Sequence, residues 1–247
     1  MKILLILTVE DSVKNVKLIT NNYKILQNYN EITWCFNHFD GTNKEWNKES
    51  WYNNMNCIKN IGIGSKITQW KKITPNISKL YDYLWFLDGD MGLEEFNWKS
   101  YYNMLVKTNP ILSQPGILPA SEGEKASDWK HTCCTDKNRN TIFKCSKDKW
   151  YNGIENGTPF ISTKIWDLIY EKMILTDPRS TWETVLFYNK IADDLNSPKL
   201  INFFSPVVHH DFRNLNKIKS VDAKRELIIS PDPDDYKTKI LNLFNII

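Results

Sequence analysis

Two carboxylates, Asp88 and Asp90, stand one residue apart directly after the apolar and aromatic run of residues 84–87. Such a run, followed at once by turn residues, predicts a buried strand that ends at the acidic pair. Paired carboxylates suit Mg²⁺ or Mn²⁺, which usually takes its other ligands from water and substrate phosphates. Gly89, between the two, would let the backbone approach a ligand closely. The spacing therefore indicates a metal site, the alternative being a turn that simply ends the strand.

The overall composition is ordinary for a globular protein. The 247 residues, 41% hydrophobic and 25% charged, can bury the core of one domain. The formal net charge of +3 is small and no basic cluster resembles a nucleic-acid footprint, so DNA or RNA binding is disfavoured. No stretch approaches the length of a membrane span. Glu10 and Asp11 follow the apolar N-terminal residues at once, which favours a first buried strand over a signal peptide.

The cysteines are odd in number and show no Cys-x-x-Cys spacing. They therefore predict reduced thiols in a cytoplasmic protein rather than a disulfide framework or a zinc site. The five residues are Cys35, Cys57, Cys133, Cys134 and Cys145.

Hydrophobic periodicity alternates between strand-like and helix-like segments along the chain. Besides the strand before Asp88, strands are predicted at residues 2–8, 31–39, 111–117, 160–162 and 200–208. A first helix is predicted from a cap at Asp11 or Ser12 through about Leu26. Further helices are predicted at residues 66–72, 98–107, 164–172 and 182–195, with Pro75 stopping the first of these. The initial strand, helix and strand predict a parallel pair with a right-handed crossover.

The remaining segments are polar or irregular. Residues 121–149 are charged and lack periodicity, so they predict a long loop or hairpin over the site. Residues 221–247 end in an amphipathic stretch and predict a helical extension on the same domain. One mixed α/β domain with this appended segment is the simplest architecture.

Six sequence blocks occur in an order that resembles a plant and bacterial family whose plant members are lysine-ketoglutarate reductase trans-splicing related proteins. The blocks are NHFDGTNKEW (37–46), KITQW (66–70), YDYLWFLDGDMGLEEF (81–96), ILSQPGI (111–117), IENGTPFIS (154–162) and VVHHDFRNL (207–215). The family is similar to glycosyltransferases of the GT-A fold. The resemblance implies a GT-A-like domain over residues 1–220, with a Rossmann-like, mostly parallel sheet flanked by helices. Gly89 stands where the family tends to carry an acidic residue.

The resemblance also implies a set of metal ligands for Mn²⁺ or Mg²⁺. Asp90 would coordinate the ion directly, and Asp88 would reach the ribose or coordinate through water. His209, at the end of the predicted strand 200–208, would complete the set, and an imidazole suits Mn²⁺ better than Mg²⁺. His210 is the alternative, because a strand points consecutive side chains to opposite faces.

For the base and ribose of a nucleotide-sugar donor, the candidates are Thr8 and Glu10 after the first strand and Asp40 after the second. These strand ends are expected at the same carboxyl edge as Asp88, where ligands bind in open α/β sheets. Asp40 and Gly41 are equally a good turn signal.

Further donor contacts are expected from two basic regions. Lys66, Gln69 and Trp70 lie on one helical stretch and could face the donor, although a tryptophan such as Trp70 more often belongs to the core. Arg213 and Lys217 follow the histidines closely and could clamp phosphate, or they could be solvated surface charges.

The catalytic base depends on the stereochemistry. If the enzyme inverts the anomeric centre, a carboxylate must take the proton of the acceptor hydroxyl. Glu183 resembles the placement of that base in inverting members of the fold, with Glu155 and Asp177 as rivals. An acidic residue in the first turn of a helix is also simply favourable to the helix dipole. A retaining enzyme would need no such base.

The predicted function is thus a metal-dependent glycosyltransferase that transfers a sugar from a nucleotide donor to a hydroxyl of a glycan or protein. UDP is adopted as the nucleotide by analogy with the fold. A nucleotidyltransferase or another Mg²⁺-dependent phosphoryl enzyme would also use paired carboxylates. A non-catalytic carbohydrate-binding relative is the third alternative. The sugar, the acceptor and the oligomeric state stay open.

Overall fold

The computed structural model of the protein describes residues 1–121, 130–146, 153–175 and 181–210. The strands are β1 (Ile3–Val9), β2 (Ile32–His38), β3 (Ile58–Ile61), β4 (Tyr83–Asp88), β5 (Met91–Gly92), β6 (Leu112–Pro119), β7 (Ile142–Lys144), β8 (Phe160–Ser162) and β9 (Lys199–His209). The α-helices are α1 (Val13–Leu26), α2 (Ser50–Asn54), α3 (Lys66–Trp70), α4 (Pro75–Ser78), α5 (Trp98–Thr108), α6 (Trp166–Leu175) and α7 (Thr181–Asp194).

All the strands of the described residues join one mixed sheet, in the order β3-β2-β1-β4-β8-β6-β9-β5, with β7 also paired to β9. The longest pairings are parallel, namely β1 with β2, β1 with β4, and β6 with β9. Strands β8, β5 and β7 pair antiparallel with their neighbours. The predicted mixed α/β fold and the parallel first pair are confirmed.

The central strands are buried on both faces. Residues 3–7 of β1 are fully buried, and they alternate between two apolar clusters. One cluster includes side chains of α1 and α5, and the other includes side chains of α3, α6 and α7. A strand covered by helices on both sides must be apolar throughout, which explains the continuous hydrophobic runs of β1 and β4.

Strand register brings the carboxyl ends of the parallel strands level with one another. Thr8 of β1 lies opposite Asn37 of β2 on one side and Asp88 of β4 on the other. The residues that follow these strands therefore meet at one edge of the sheet, with α1 on one face and α3 on the other.

Helix α1 begins where the sequence predicts, because the Ser12 side chain accepts a hydrogen bond from the Asn15 amide at 3.3 Å. The prediction that Pro75 stops a helix is wrong. Helix α3 has already ended at Trp70, and Pro75 instead opens α4. Proline is favoured in that first position, where its missing N–H costs nothing. Strand β3 and helix α2 were not predicted.

The five cysteines form no disulfide, in agreement with the prediction of free thiols. Among the described residues, no helix combines the length and apolar character needed to cross a bilayer. The predicted extension at residues 221–247 lies outside the described residues.

The cap of α1 gives a first testable prediction. Replacing Ser12 with Ala removes the hydrogen bond to the Asn15 amide, so the free energy of unfolding should fall by about 1 kcal/mol in urea denaturation. Thr74→Ala is the matched control, because Thr74 occupies the N-cap of α4 without a side-chain capping bond. Equal losses in the two variants would contradict this account of the cap.

Candidate active site at the carboxyl edge of the sheet

The first acidic residue of the pair is held in an ion pair. Asp88 is the last residue of β4, and the Lys66 Nζ lies 2.7 Å from its Oδ2. The two side chains are only 28% and 14% exposed. Burial raises the pKa of Asp88, and the Lys66 ammonium partly offsets that effect. Helix α3, which begins at Lys66 under a Ser65 cap, thus supplies a cation to the sheet edge.

The second acidic residue lies beside a histidine. Asp90 stands in the turn between β4 and β5, and β5 pairs with the end of β9, so that Met91 is opposite His209. The His209 Nε2 is 3.3 Å from the Asp90 Oδ2. Burial alone would raise the pKa of Asp90, but the hydrogen bond and charge of His209 outweigh it and lower that pKa. The alternative ligand, His210, instead contacts Glu94 at 2.7 Å.

These contacts define a two-donor arrangement rather than a complete metal cage. Within the described part of the chain, no group of three or more His, Cys, Asp or Glu side chains is placed to hold a metal ion. Asp90 and His209 converge, whereas Asp88 is engaged by Lys66.

The residues predicted to bind base and ribose line the same edge. Thr8 is half-buried beside Asp88 in the strand register, and Glu10 is exposed. The Asp40 carboxylate accepts hydrogen bonds from the backbone amides of Asp11 at 2.7 Å and Thr42 at 3.3 Å. Asp40 therefore ties the loop after β1 to the loop after β2, and burial raises its pKa.

Of the three residues predicted to face the donor, Lys66, Gln69 and Trp70, not all lie at the site. The Trp70 ring is 1% exposed and stacks on Phe86 with centroids 4.1 Å apart, so it belongs to the core. The Gln69 amide donates to the Gly62 carbonyl at 2.9 Å and its oxygen accepts from Lys72. Of this stretch, Lys66 is the residue that reaches Asp88.

Among the predicted bases, Glu155 is the one whose surroundings are described. Its backbone amide donates to the Gln114 Oε1 at 2.6 Å, and the Thr132 hydroxyl donates to its carboxylate. Burial raises the pKa of Tyr188, and the charges of Glu155 and Asp88 raise it further. Glu155 and Asp88 thus both act electrostatically on Tyr188.

Glu183 lies in the first turn of α7, and its side chain is outside the description. Asp177, Arg213 and Lys217 likewise fall outside the described residues. Their predicted roles stay predictions.

Two buried asparagines of α1, neither of them predicted, bond to the acidic turn, residues 88–90, and to the residues directly after it. The Asn15 amide donates to the Gly89 carbonyl at 2.5 Å, and Asn22 donates to the Met91 carbonyl at 2.8 Å while accepting from the Leu93 amide at 2.9 Å. Their seven-residue spacing puts both on one helix face. Two asparagines on an otherwise apolar helix face are the sequence feature that could have indicated their buried contacts.

Comparison with solved structures identifies the class of fold. TarS of S. aureus (residues 1–349) in complex with UDP-GlcNAc matches with a TM-score of 0.61 at 11% identity, covering 100% of this chain and 66% of that one. TarS 1–349 in complex with UDP matches at 0.60 and 11%, covering 85% and 60%. A longer TarS chain matches at 0.58 and 11%, covering 85% and 37%. The protein thus shares its mixed α/β fold with TarS and spans 37–66% of the length of these TarS chains.

The family is identified from the sequence itself. The model of the family described as "Protein of unknown function (DUF707)" matches residues 1–224, so the chain belongs to this family. No curated protein matches the chain.

The glycine between the two carboxylates gives a second testable prediction. A Cβ at Gly89 would lie 2.8 Å from the Thr8 carbonyl oxygen and 2.8 Å from the Asn15 Nδ2. Gly89→Ala should therefore displace the turn and lower the free energy of unfolding by roughly 1–3 kcal/mol in denaturant titration.

Gly62→Ala is the matched control, because a Cβ there would meet only the flexible Lys72 Nζ at 3.4 Å. Its effect should stay within about 0.5 kcal/mol. An unchanged stability in Gly89→Ala would show that the turn has room for a side chain.

Proposed function

We propose that this protein is a glycosyltransferase that transfers a sugar from a nucleotide-diphosphate donor, a UDP-sugar, to a hydroxyl of a glycan or protein acceptor. The observation that carries the proposal is the pair Asp88 and Asp90 at the carboxyl edge of the sheet, flanked by Lys66 and His209. The fold supports it, since TarS, which has been solved with UDP and UDP-GlcNAc, shares that fold. Because fold alone does not define function, the argument rests on the chemistry of the site.

Asp90 and His209 fit a divalent ion. Their donor atoms are 3.3 Å apart, close to the roughly 3 Å between neighbouring ligands in an octahedron with bonds near 2.1 Å. One carboxylate oxygen and one imidazole nitrogen suit Mn²⁺, and donor phosphates and water would complete the shell. When bound, the ion would neutralise the charge that develops on the leaving diphosphate.

Besides the divalent ion, Lys66 supplies a positive charge to the carboxyl edge of the sheet. Its ammonium is mostly buried and reaches the partly desolvated Asp88, where electrostatic interactions are stronger than in bulk water. We assign Lys66 to the donor diphosphate and Asp88 to the ribose hydroxyls. Thr8 and Glu10, at the end of the neighbouring strand, would face the nucleoside. Arg213 and Lys217 are further candidates for the phosphates.

The acceptor must lose its hydroxyl proton as the new bond forms. In an inverting reaction a carboxylate takes that proton, and Glu183 is the first candidate. Glu155 is the second, because it is half-buried and its charge, like that of Asp88, acts on Tyr188. A retaining reaction would need neither residue for this step.

The metal assignment is tested by nucleotide binding. In Asp90→Asn and His209→Ala, calorimetric titration with UDP should lose its dependence on Mn²⁺, because each variant lacks one of the two converging donors. His210→Ala is the matched control, since that imidazole contacts Glu94 and should leave affinity near the wild-type value. Mn²⁺-dependent binding that persists in Asp90→Asn, or that is lost only in His210→Ala, would refute the assignment.

The base is tested by turnover. Glu183→Gln keeps the size of the side chain but removes its basicity, so the release of UDP from UDP-GlcNAc should slow by roughly 10²- to 10⁴-fold. The affinity for UDP should hardly change, since a general base acts on the hydroxyl of the acceptor and not on the diphosphate.

Glu155→Gln is the comparison variant. A near-normal rate in Glu183→Gln with a slow Glu155→Gln would transfer the role to Glu155. Retention of anomeric configuration in the sugar product, followed by NMR, would remove the need for either base.

A further inference from the structure

The turn that carries the two carboxylates is short and is held by several elements. Only Gly89 and Asp90 separate β4 from β5. The Asp88 amide donates to the Gly157 carbonyl at 2.9 Å, and the His210 amide donates to the Asp90 carbonyl at 2.9 Å. Helix α1 supplies the remaining contacts, through Asn15 to Gly89 and through Asn22 to Met91. The positions of the carboxylates are therefore set by contacts from outside the turn.

Asn15 differs from the other partners because it joins two loops of the site. Its Nδ2 donates to the Gly89 carbonyl at 2.5 Å, and its Oδ1 accepts from the Glu10 amide at 3.1 Å. Glu10 belongs to the loop between β1 and α1, at the edge assigned to the nucleoside. A single buried side chain, 4% exposed, thus fixes the acidic turn relative to the loop after β1.

Only an amide side chain of this length can make both contacts. An asparagine offers a donor and an acceptor at once, whereas an aspartate has no donor for the Gly89 carbonyl and an apolar residue has neither. The Asn15 side chain is packed closely against the Gly89 backbone, since a Cβ on Gly89 would meet both the Asn15 amide and the Thr8 carbonyl at 2.8 Å.

Asn22 offers an internal comparison. It lies two turns further along the same helix, is 1% exposed and also makes two backbone hydrogen bonds. Its partners, Met91 and Leu93, follow the turn and belong to neither the acidic pair nor the β1–α1 loop. The two asparagines therefore match in burial and in the number of bonds, and differ in what they hold.

We infer that Asn15 is a positioning residue for donor binding, which fixes the Asp88–Asp90 turn against the β1–α1 loop, whereas Asn22 acts on stability alone. This inference rests on the proposed function, because it concerns the same donor site. Residues that orient the ligands of a metal without touching it commonly change affinity by about 10- to 100-fold when they are replaced.

The test compares Asn15→Leu with Asn22→Leu. Both variants should lower the melting temperature by similar amounts, since each leaves two backbone groups without their partner. At a temperature where circular dichroism shows both variants folded, UDP affinity with Mn²⁺ should fall by roughly 10-fold or more in Asn15→Leu. Asn22→Leu should stay within about threefold of the wild-type affinity, as expected for a residue that holds no ligand. Equal losses of affinity in the two variants, or no loss in Asn15→Leu, would overturn the inference.

A second variant and a second measurement keep the test decisive. Asn15→Asp retains the size of the side chain and the acceptor for the Glu10 amide but cannot donate to Gly89, so it serves if Asn15→Leu does not fold. Hydrogen exchange at the backbone amides of residues 88–90 can be measured without any bound nucleotide. It should accelerate in the Asn15 variants and stay near the wild-type rate in Asn22→Leu. Unchanged exchange at the turn would refute the positioning role even if the wild-type chain failed to bind UDP, an outcome that would refute the proposed function separately.

Discussion

The burial of β4 between two layers of helices is the constraint on which the rest of the structure depends. Its side chains alternate between the two apolar clusters, with Trp85 in one and Phe86 in the other. A slip of one residue in its pairing with β1 would exchange the faces of every side chain, so the register is strongly specified. Because the register is fixed, Asp88 and the turn after it emerge at a defined point, level with Thr8.

Charges placed at such an edge need partners, since burial penalises the ionised forms. The protein meets this requirement with one cationic or imidazole partner for each carboxylate, Lys66 for Asp88 and His209 for Asp90. The two partners come from different parts of the chain, one from the start of α3 and the other from the end of β9. The outcome differs for the two acids, since the pKa of Asp88 is raised and that of Asp90 is lowered.

The likeness to TarS at 11% identity follows from the same physics. A fold of this kind requires an apolar pattern, strand order and helix placement, all of which many sequences can satisfy. On a shared fold, function depends on the side chains of the site, which here lie at the carboxyl edge. For this chain that set includes Lys66, a glycine between the acids, and two asparagines behind the turn.

The sequence by itself determined the features that depend on local pattern. Apolar runs located β1 and β4, and a capping residue located the start of α1. Both signals are readable because the burial of a strand and the capping of a helix depend on residues that are close together in sequence. The same patterns predicted that Asp88 and Asp90 end a buried strand, which is correct. The short β3 and α2 were missed, because segments of four or five residues carry too little periodicity to be distinguished from loop.

Only the tertiary structure decided which distant side chains meet. Trp70 and Lys66 lie on the same short helix, yet one is packed against Phe86 and the other reaches Asp88. The choice between His209 and His210 as neighbour of Asp90 depends on the pairing of β5 with β9, two segments more than a hundred residues apart. Asn15 and Asn22 looked like ordinary helix polar residues, since their partners, on the acidic turn and in β5 after it, are some seventy residues away. Such contacts arise from the packing of a helix and strands that are remote in sequence, so no local pattern identifies the partners.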